Sequence, residues 1–475
     1  MRNNYKIAVL AITAVFGVVA CKIPALTLRN APTATPSYYA VSGSDTINDG
    51  AIAWKNYFKD PNLLSLIDSA LVKNQELGIV EQEIQARKNE IQARKGEYLP
   101  FVNLSGAGGL DKMGRYTWDG LSEEDLKANP TKAPKHIGDF MLGAYASWEM
   151  DVWKKLRTAK QSAALSYLAS QEGKNFVITN VVAEISSSYY ELLALDNLLT
   201  IIQQSIDIQQ NALTVVRLEK EAAKETQLAV NRFEAQLLHT KNLRYEIQQR
   251  IVETENRINF LVGRYPQSVK RDVAQLNELN IEFIRPGIPS QLLINRPDIK
   301  QAEYELSAAK LDIKSARANF YPAFRLTAGL GFTSFNPGYL ISPESVLYNL
   351  AGDLVAPLVN KNAIKATYAN AGVKQVAAAY NYERSILNAY IEVVNQLNAV
   401  DNFEKSYLTK KNEVDILTQS IDISNSLFRS ARADYLEVLL TQREALESKM
   451  ELVETRLKQL VAKVNLYRAL GGGWR

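Results

Sequence analysis

One cysteine, Cys21, occurs in 475 residues, so an intramolecular disulfide is excluded and a thiolate metal site is disfavoured. There are two histidines, His136 and His239. The first falls in a predicted hairpin loop and the second on a helix among Lys241 and Arg244. Neither has the partners at defined spacing that metal or triad chemistry needs. Both read as solvated or structural side chains, so no metal site and no enzyme is indicated. No Gly-rich phosphate loop occurs, and energy for any transport has to come from a partner. An excess of one charge is also missing: 55 Lys and Arg face 51 Asp and Glu, a formal net charge of +4. The basic residues are scattered among acids, which argues against nucleic acid as a partner. After Cys21 no stretch approaches the roughly 18 to 20 apolar residues of a membrane-spanning helix. The most apolar helical region, 177–202, carries Glu184, Glu191 and Asp196. If the mature chain crosses a membrane, it does so as a closed β-barrel, because only helices and barrels satisfy every backbone group in lipid.

At the start, Arg2 and Lys6 precede an apolar run from Ile7 to Val19 that closes on Ala20-Cys21. This is the pattern of an export signal ending on a small residue. A cysteine there resembles the lipobox of bacterial lipoproteins, which implies cleavage after residue 20 and a covalent lipid on Cys21, with no other cofactor. The alternative is an ordinary thiol behind a signal or anchor helix. Lys22 in place of Asp is compatible with outer-membrane sorting. Residues 21–61 then form an acylated, extended N-terminal segment.

The rest of the chain reads as two similar halves. Ile91-Gln92-Ala93-Arg94 leading to Tyr98-Leu99-Pro100 returns as Ile313-Lys314-Ser315-Ala316-Arg317 leading to Phe320-Tyr321-Pro322, a displacement of 222 residues. Leu156-Arg157 returns as Ile364-Lys365, and Val262-Gly263 as Leu470-Gly471, both displaced by 208. A longer loop in the first half accounts for the change: 111–135 is polar with Pro130 and Pro134, against a shorter turn around Asn336-Pro337-Gly338. The acid run Glu123-Glu124-Asp125 in that loop reads as solvated surface. The halves span 62–263 and 291–471, separated by a linker at 264–290 and followed by a tail at 472–475.

Each half predicts the same order of elements. A helix, about 62–97 and 291–319, gives way at Pro100 and Pro322, since proline cannot continue a helix interior. Strand segments follow, about 101–151 and 323–359. In Phe140, Leu142, Ala144, Ala146, Trp148 and Met150, apolar residues recur at every second position, as on one face of a strand. Leu326, Ala328, Leu330 and Phe332 do likewise. Trp148 and Trp153 lie near the strand end, where membrane barrels carry aromatic girdles. Periodicity alone also allows a soluble hairpin capping a helical domain. Between 154 and about 221 there is no proline and one glycine, Gly173, which predicts a single helix of about 100 Å at ~1.5 Å per residue. Its counterpart runs over about 363–430. Returning helices carry seven-residue spacing in Leu439, Leu446, Val453, Leu460 and Tyr467, and in Val230, Leu237, Ile251 and Ile258, with Arg244 interrupting. Such stripes pack helix against helix.

Four strands cannot close a barrel alone, because bacterial single-chain barrels start at about eight, so several chains have to contribute. At this point the residues resemble a known family, the TolC-like outer membrane efflux proteins, and more closely its lipoprotein branch. Ile288-Pro289-Ser290-Gln291-Leu292-Leu293 with Arg296-Pro297-Asp298-Ile299 is similar to the segment opening the family's second repeat. Trp148-Glu149-Met150-Asp151-Val152-Trp153 and Tyr435-Leu436-Glu437-Val438-Leu439 are similar to two further motifs. The resemblance implies a mainly α fold with a transmembrane β part. Four strands per chain would complete a trimeric twelve-stranded barrel above an α-helical periplasmic barrel. It also implies a homotrimer in outer membrane lipid, docking to a periplasmic adaptor and an inner-membrane pump.

The same resemblance assigns a tip where the long and returning helices meet. Glu437 matches an acid lining the periplasmic gate, with Leu440 where some members carry a second acid. Ala223 and Ala431 stand where the family usually has glycine. Lys224, Glu225, Arg429 and Arg432 join them as candidate contacts at the tip and with the adaptor. Glu437 also reads as a surface acid paired with a basic neighbour such as Arg432. Two functions compete with an efflux duct for drugs, toxic compounds or metal ions. One is an exit channel for secreted proteins; the other is a coiled-coil adaptor of the envelope, which leaves the paired strand segments unexplained.

Overall fold

The computed structural model describes residues 23–39, 46–112, 136–272, 284–357, 359–430 and 432–475. Cys21, Ala431 and the acid run at 123–125 lie outside them. In chain order the main elements are α1 Pro61–Lys73, α2 Gln75–Tyr98, β1 Phe101–Asp111, β2 Ile137–Met150, α3 Lys155–Glu221 and α4 Gln227–Leu261. The second half repeats the pattern with α5 Pro297–Ala318, β3 Ala323–Ser334, β4 Val346–Val355, α6 Asn362–Arg429 and α7 Tyr435–Ala469. The change in displacement between the halves falls where the sequence places it, in the connection from β1 to β2 against that from β3 to β4.

The chain divides into two compact units, one made of Met1–Asn30, Gln85–Leu168 and Tyr304–Tyr380, the other of Ala31–Ile84, Ala169–Glu303 and Asn381–Arg475. The first holds the strands. They form one antiparallel sheet in the order β1-β2-β3-β4, with Leu104 opposite Ala144, Ala144 opposite Leu330, and Leu330 opposite Tyr348. The helix that follows β2 begins on Asp151. Its buried carboxylate accepts the backbone N–H of Leu156 at 3.0 Å and of Arg157 at 2.9 Å, two groups that a helix start leaves without partners.

In the second unit, Asp60 caps α1 by accepting from Asn62 N–H at 2.8 Å, and its other oxygen takes the Tyr189 hydroxyl at 2.6 Å. Of the heptad positions, Val230, Leu237, Ile258, Leu446, Val453, Leu460 and Tyr467 are buried, as their spacing predicts, whereas Ile251 and Leu439 are half-buried. The first helix of each half departs from the expectation of a continuous run. It breaks at Asn74, between α1 and α2, and at Arg296, just before α5. Pro297 holds Arg296 extended, and Asn74 caps α2 by accepting from Leu77 N–H at 3.1 Å; each break also packs against the far end of its half. Gly263 and Gly471 adopt φ of 72° and 89° to end α4 and α7, a conformation glycine takes without strain. A Cβ on Gly263 would stand 2.3 Å from the Lys73 carbonyl oxygen, and one on Gly471 would stand 2.6 Å from that of Asn295. The residue after each of these carbonyls then caps the returning helix. Asn74 Nδ2 donates to Leu261 O at 2.8 Å, and Arg296 Nη1 donates to Ala469 O at 2.8 Å. Both halves therefore carry the same lock, built with an amide in one and a guanidinium in the other.

Candidate functional site

Alternation along the strands sorts the sheet into two faces. One carries Val102, Leu104, Phe140, Leu142, Trp148, Phe324, Leu326, Leu330, Tyr348, Leu350 and Leu354, which the strand registers place side by side. Most of these apolar side chains are not covered: Leu104 is 80% exposed, Leu350 79% and Leu330 63%, while Phe140, Trp148 and Leu326 are half-buried. A bare apolar face of this kind needs a nonaqueous environment or a partner. The opposite face carries Asn103, Ser105, Tyr145, Arg325, Thr327, Asn349 and Asp353 with several glycines. Here the backbones approach so closely that a Cβ on Gly331 would stand 2.5 Å from the Cα of Gly143. Strands β1 and β4 each have one neighbour among the described residues, so each presents a row of unpaired N–H and C=O groups.

Where the sheet meets the helices, two indoles are tied to the backbone. Trp148 Nε1 donates to Tyr98 O at 3.0 Å, and Trp153 Nε1 donates to Pro322 O at 2.7 Å. The Trp153 ring stacks on Tyr321 with centroids 4.8 Å apart. Amphipathic aromatics with a satisfied polar tip suit the water–lipid boundary.

The turns joining α3 to α4 and α6 to α7 belong to the second unit. Ala223 has φ of 56°, the left-handed conformation that costs a residue with a Cβ about 1–2 kcal/mol. Around it Lys224 N–H donates to Glu219 O at 2.9 Å and Ala223 N–H donates to Lys220 O at 3.0 Å, the paired bonds of a Schellman helix end. The second turn repeats the outer bond, with Arg432 N–H donating to Leu427 O at 2.9 Å. Thr226 Oγ1 then caps α4 by accepting from Ala229 N–H at 3.2 Å. Glu225 is half-buried in this turn, and its carboxyl is raised above the usual range by burial and by the Asp434 and Glu219 carboxylates nearby. Asp434 is the residue before α7, so the two turns bring acids together. Glu437 sits in the first turn of α7 with an exposed side chain. Lys224, Arg429 and Arg432 are also exposed, and among the described residues no ion pair ties Glu437 to Arg432.

Comparison with known proteins places this geometry. Residues 66–264 and 288–472 match the outer membrane efflux protein family, once for each half. The chain belongs to the outer membrane efflux protein family. Among its relatives is SilC of Salmonella typhimurium, described as a probable outer membrane lipoprotein, 25% identical over 99% of both chains. The toluene efflux pump outer membrane protein TtgI of Pseudomonas putida is 26% identical over 88% of this chain and 87% of its own. In fold, the open-state MtrE outer membrane channel of Neisseria gonorrhoeae superposes with a TM-score of 0.84 at 20% identity, covering 96% of this chain and 99% of that one.

This chain is thus an outer membrane efflux protein, and the envelope adaptor reading is set aside. Of the residues singled out at the tip, the structure gathers Ala223, Lys224 and Glu225 in one turn and places Arg429 and Arg432 about the other. Glu437 stands one helical turn further on. Sequence reasoning missed Asp434, whose carboxylate acts on Glu225 across the two hairpins. It also missed Lys154, which takes φ of 59° just before α3. Nothing in its side-chain type announces a left-handed backbone.

Proposed function

We propose that three copies of this chain close a twelve-stranded barrel continued by a helical tunnel, forming a passive exit duct across the outer membrane. The observation carrying this reading is the sheet with two open edges, one bare apolar face and one glycine-rich polar face. In lipid an open edge is not tolerated, and the alternation is that of a barrel with lipid outside and water inside. A four-strand contribution is too small for single-chain closure; three chains is the number that the family resemblance implies. With no Gly-rich phosphate loop in its sequence, the duct is read as driven by an inner-membrane pump through a periplasmic adaptor. Its cargo class is drugs, toxic compounds or metal ions, which the names of the relatives support in kind. Cys21 carries a covalent lipid as an auxiliary anchor, and no other cofactor is needed.

At the tip, Glu437 from each copy forms a ring of carboxylates that gates the duct. Ala223, Lys224, Glu225, Arg429, Ala431 and Arg432 supply the contacts that hold it closed and meet the adaptor. Like charges converging on an axis oppose one another's ionisation and attract cations. Native mass spectrometry of detergent-purified protein is expected to give three subunits, and a conducting monomer would overturn the architecture. In planar-bilayer recordings Glu437→Ala weakens cation selectivity and block by multivalent cations added from the tip side. Parental selectivity and block in that variant would remove Glu437 from the constriction.

A further inference from the structure

A cavity of about 380 Å³ opens where the strands meet the helices, walled on one side by Trp153, Tyr321, Pro322, Val355, Pro357 and Ile364 and edged on the other by Asp151 and the ion pair of Lys155 with Glu149. Its aromatic wall is fixed, since the Trp153 indole N–H is spent on Pro322 O and its ring stacks on Tyr321. The aliphatic and aromatic side suits a hydrocarbon chain better than a polar solute, and the charged edge suits the polar end from which such a chain would enter. The described N-terminal segment runs toward this place. Arg29 exchanges bonds with Gln375, its N–H donating at 3.2 Å and its carbonyl accepting at 2.6 Å, and its guanidinium lies 4.2 Å from the centre of the Tyr380 ring. Leu26 occupies the space left by Gly372, its Cδ1 only 2.9 Å from where a Cβ would stand. Ile23 packs with Ile364 on the cluster of Ile313, Phe320 and Tyr368. From Arg29 to Ile23 the segment therefore climbs α6 toward its first turn and the sheet.

Ile364 touches that cluster and also walls the cavity. Cys21 lies two residues upstream of Ile23, and two residues span at most about 7 Å. That reach exceeds the ~5.4 Å helical turn separating Tyr368 from Ile364. We propose that the cavity holds one acyl chain of the lipid on Cys21, pinning the N-terminus to the strand–helix junction while the remaining chains enter the bilayer. This rests on the lipoprotein reading of Cys21 and adds to it a defined seat on the protein.

The test uses full-length protein from cells fed a diazirine-bearing palmitate, purified in detergent. Intact-mass analysis first reports acylation at Cys21, and irradiation followed by peptide mapping then reports where the chain lies. Crosslinks are expected on the peptides holding Trp153, Tyr321 or Ile364. Ala363→Phe, an exposed cavity-lining position, fills the space without touching the cluster and is expected to lower those crosslinks at least tenfold at unchanged acylation. An unacylated Cys21 overturns the lipoprotein reading and this proposal with it. An acylated protein whose probe reaches only free lipid overturns the seat alone. So does labelling of the cavity by a photoactivatable phosphatidylethanolamine when the chain on Cys21 gives none.

Discussion

Replacing Arg296 by alanine tests the lock that ends the second half. The guanidinium is 7% exposed and holds Asp298 through two bonds, at 3.0 and 2.8 Å, Glu392 at 2.8 Å and Ala469 O at 2.8 Å. Truncation leaves Asp298 without this partner and the helix-end carbonyl unbonded, whereas Glu392 keeps Arg468 at 3.0 Å. Breaking a buried pair from one side costs about 3–5 kcal/mol. The two carboxylates are 21% and 34% exposed, so water recovers part of that loss and about 3 kcal/mol is expected. At 1.4 kcal/mol per factor of ten this amounts to about 100-fold in rate if the contact breaks before the unfolding barrier. Large membrane assemblies unfold irreversibly, so the quantity to follow is the loss of helical circular dichroism with time at fixed temperature. Asn74→Ala, at the equivalent place, removes the neutral bond to Leu261 O and the acceptor of Leu77 N–H at 3.1 Å. Loss of such a cap costs about 1–2 kcal/mol, or about tenfold. Arg296→Lys keeps the charge without the fork and falls between the two. An Arg296→Ala rate within about twofold of the parent would refute the reasoning.

Ala223→Gly relieves the left-handed strain in the first turn, offset in part by the greater freedom of glycine in the unfolded chain. A net gain of about 0.5–1 kcal/mol is expected, read as slower hydrogen exchange at the amides of residues 220–224; faster exchange would show that the turn does not hold this conformation. Gly331→Val drives a side chain into the Gly143 backbone across β2 and β3 and is expected to abolish the folded, membrane-inserted form. Heat-modifiable migration on gels reports it, and parental assembly would contradict the strand register.

The strand faces could be read directly from the chain because period-two alternation is local: Phe140, Leu142 and Ala144 need no distant partner to share a face. The long helices were equally plain, since proline and glycine are nearly absent between Lys154 and Glu221. The breaks at Asn74 and Arg296 were passed over, although Pro297 holds Arg296 extended and Asn74 is a cap-forming residue; that each break packs against the other end of its half, at Gly263 and Gly471, could not be read locally. Ala223 shows the same limit in reverse. Its residue type favours continued helix, and only its place in the family pattern marked it as a turn. Candidate tip residues were found through the motif around Tyr435 and Glu437, whereas Asp434 emerged only when the hairpins were seen together.

The two open edges of the sheet have a consequence for genetics. In the proposed ring a subunit joins its neighbours through β1 on one side and β4 on the other, so an edge that cannot pair spoils every ring it enters. If a fraction f of the subunits is sound and a ring takes n of them at random, intact rings form with probability fⁿ. Co-expression of a variant with a damaged β1 edge beside the normal gene would therefore lower efflux far more than in proportion to dose. The defect would behave as dominant, although the normal copy remains fully active.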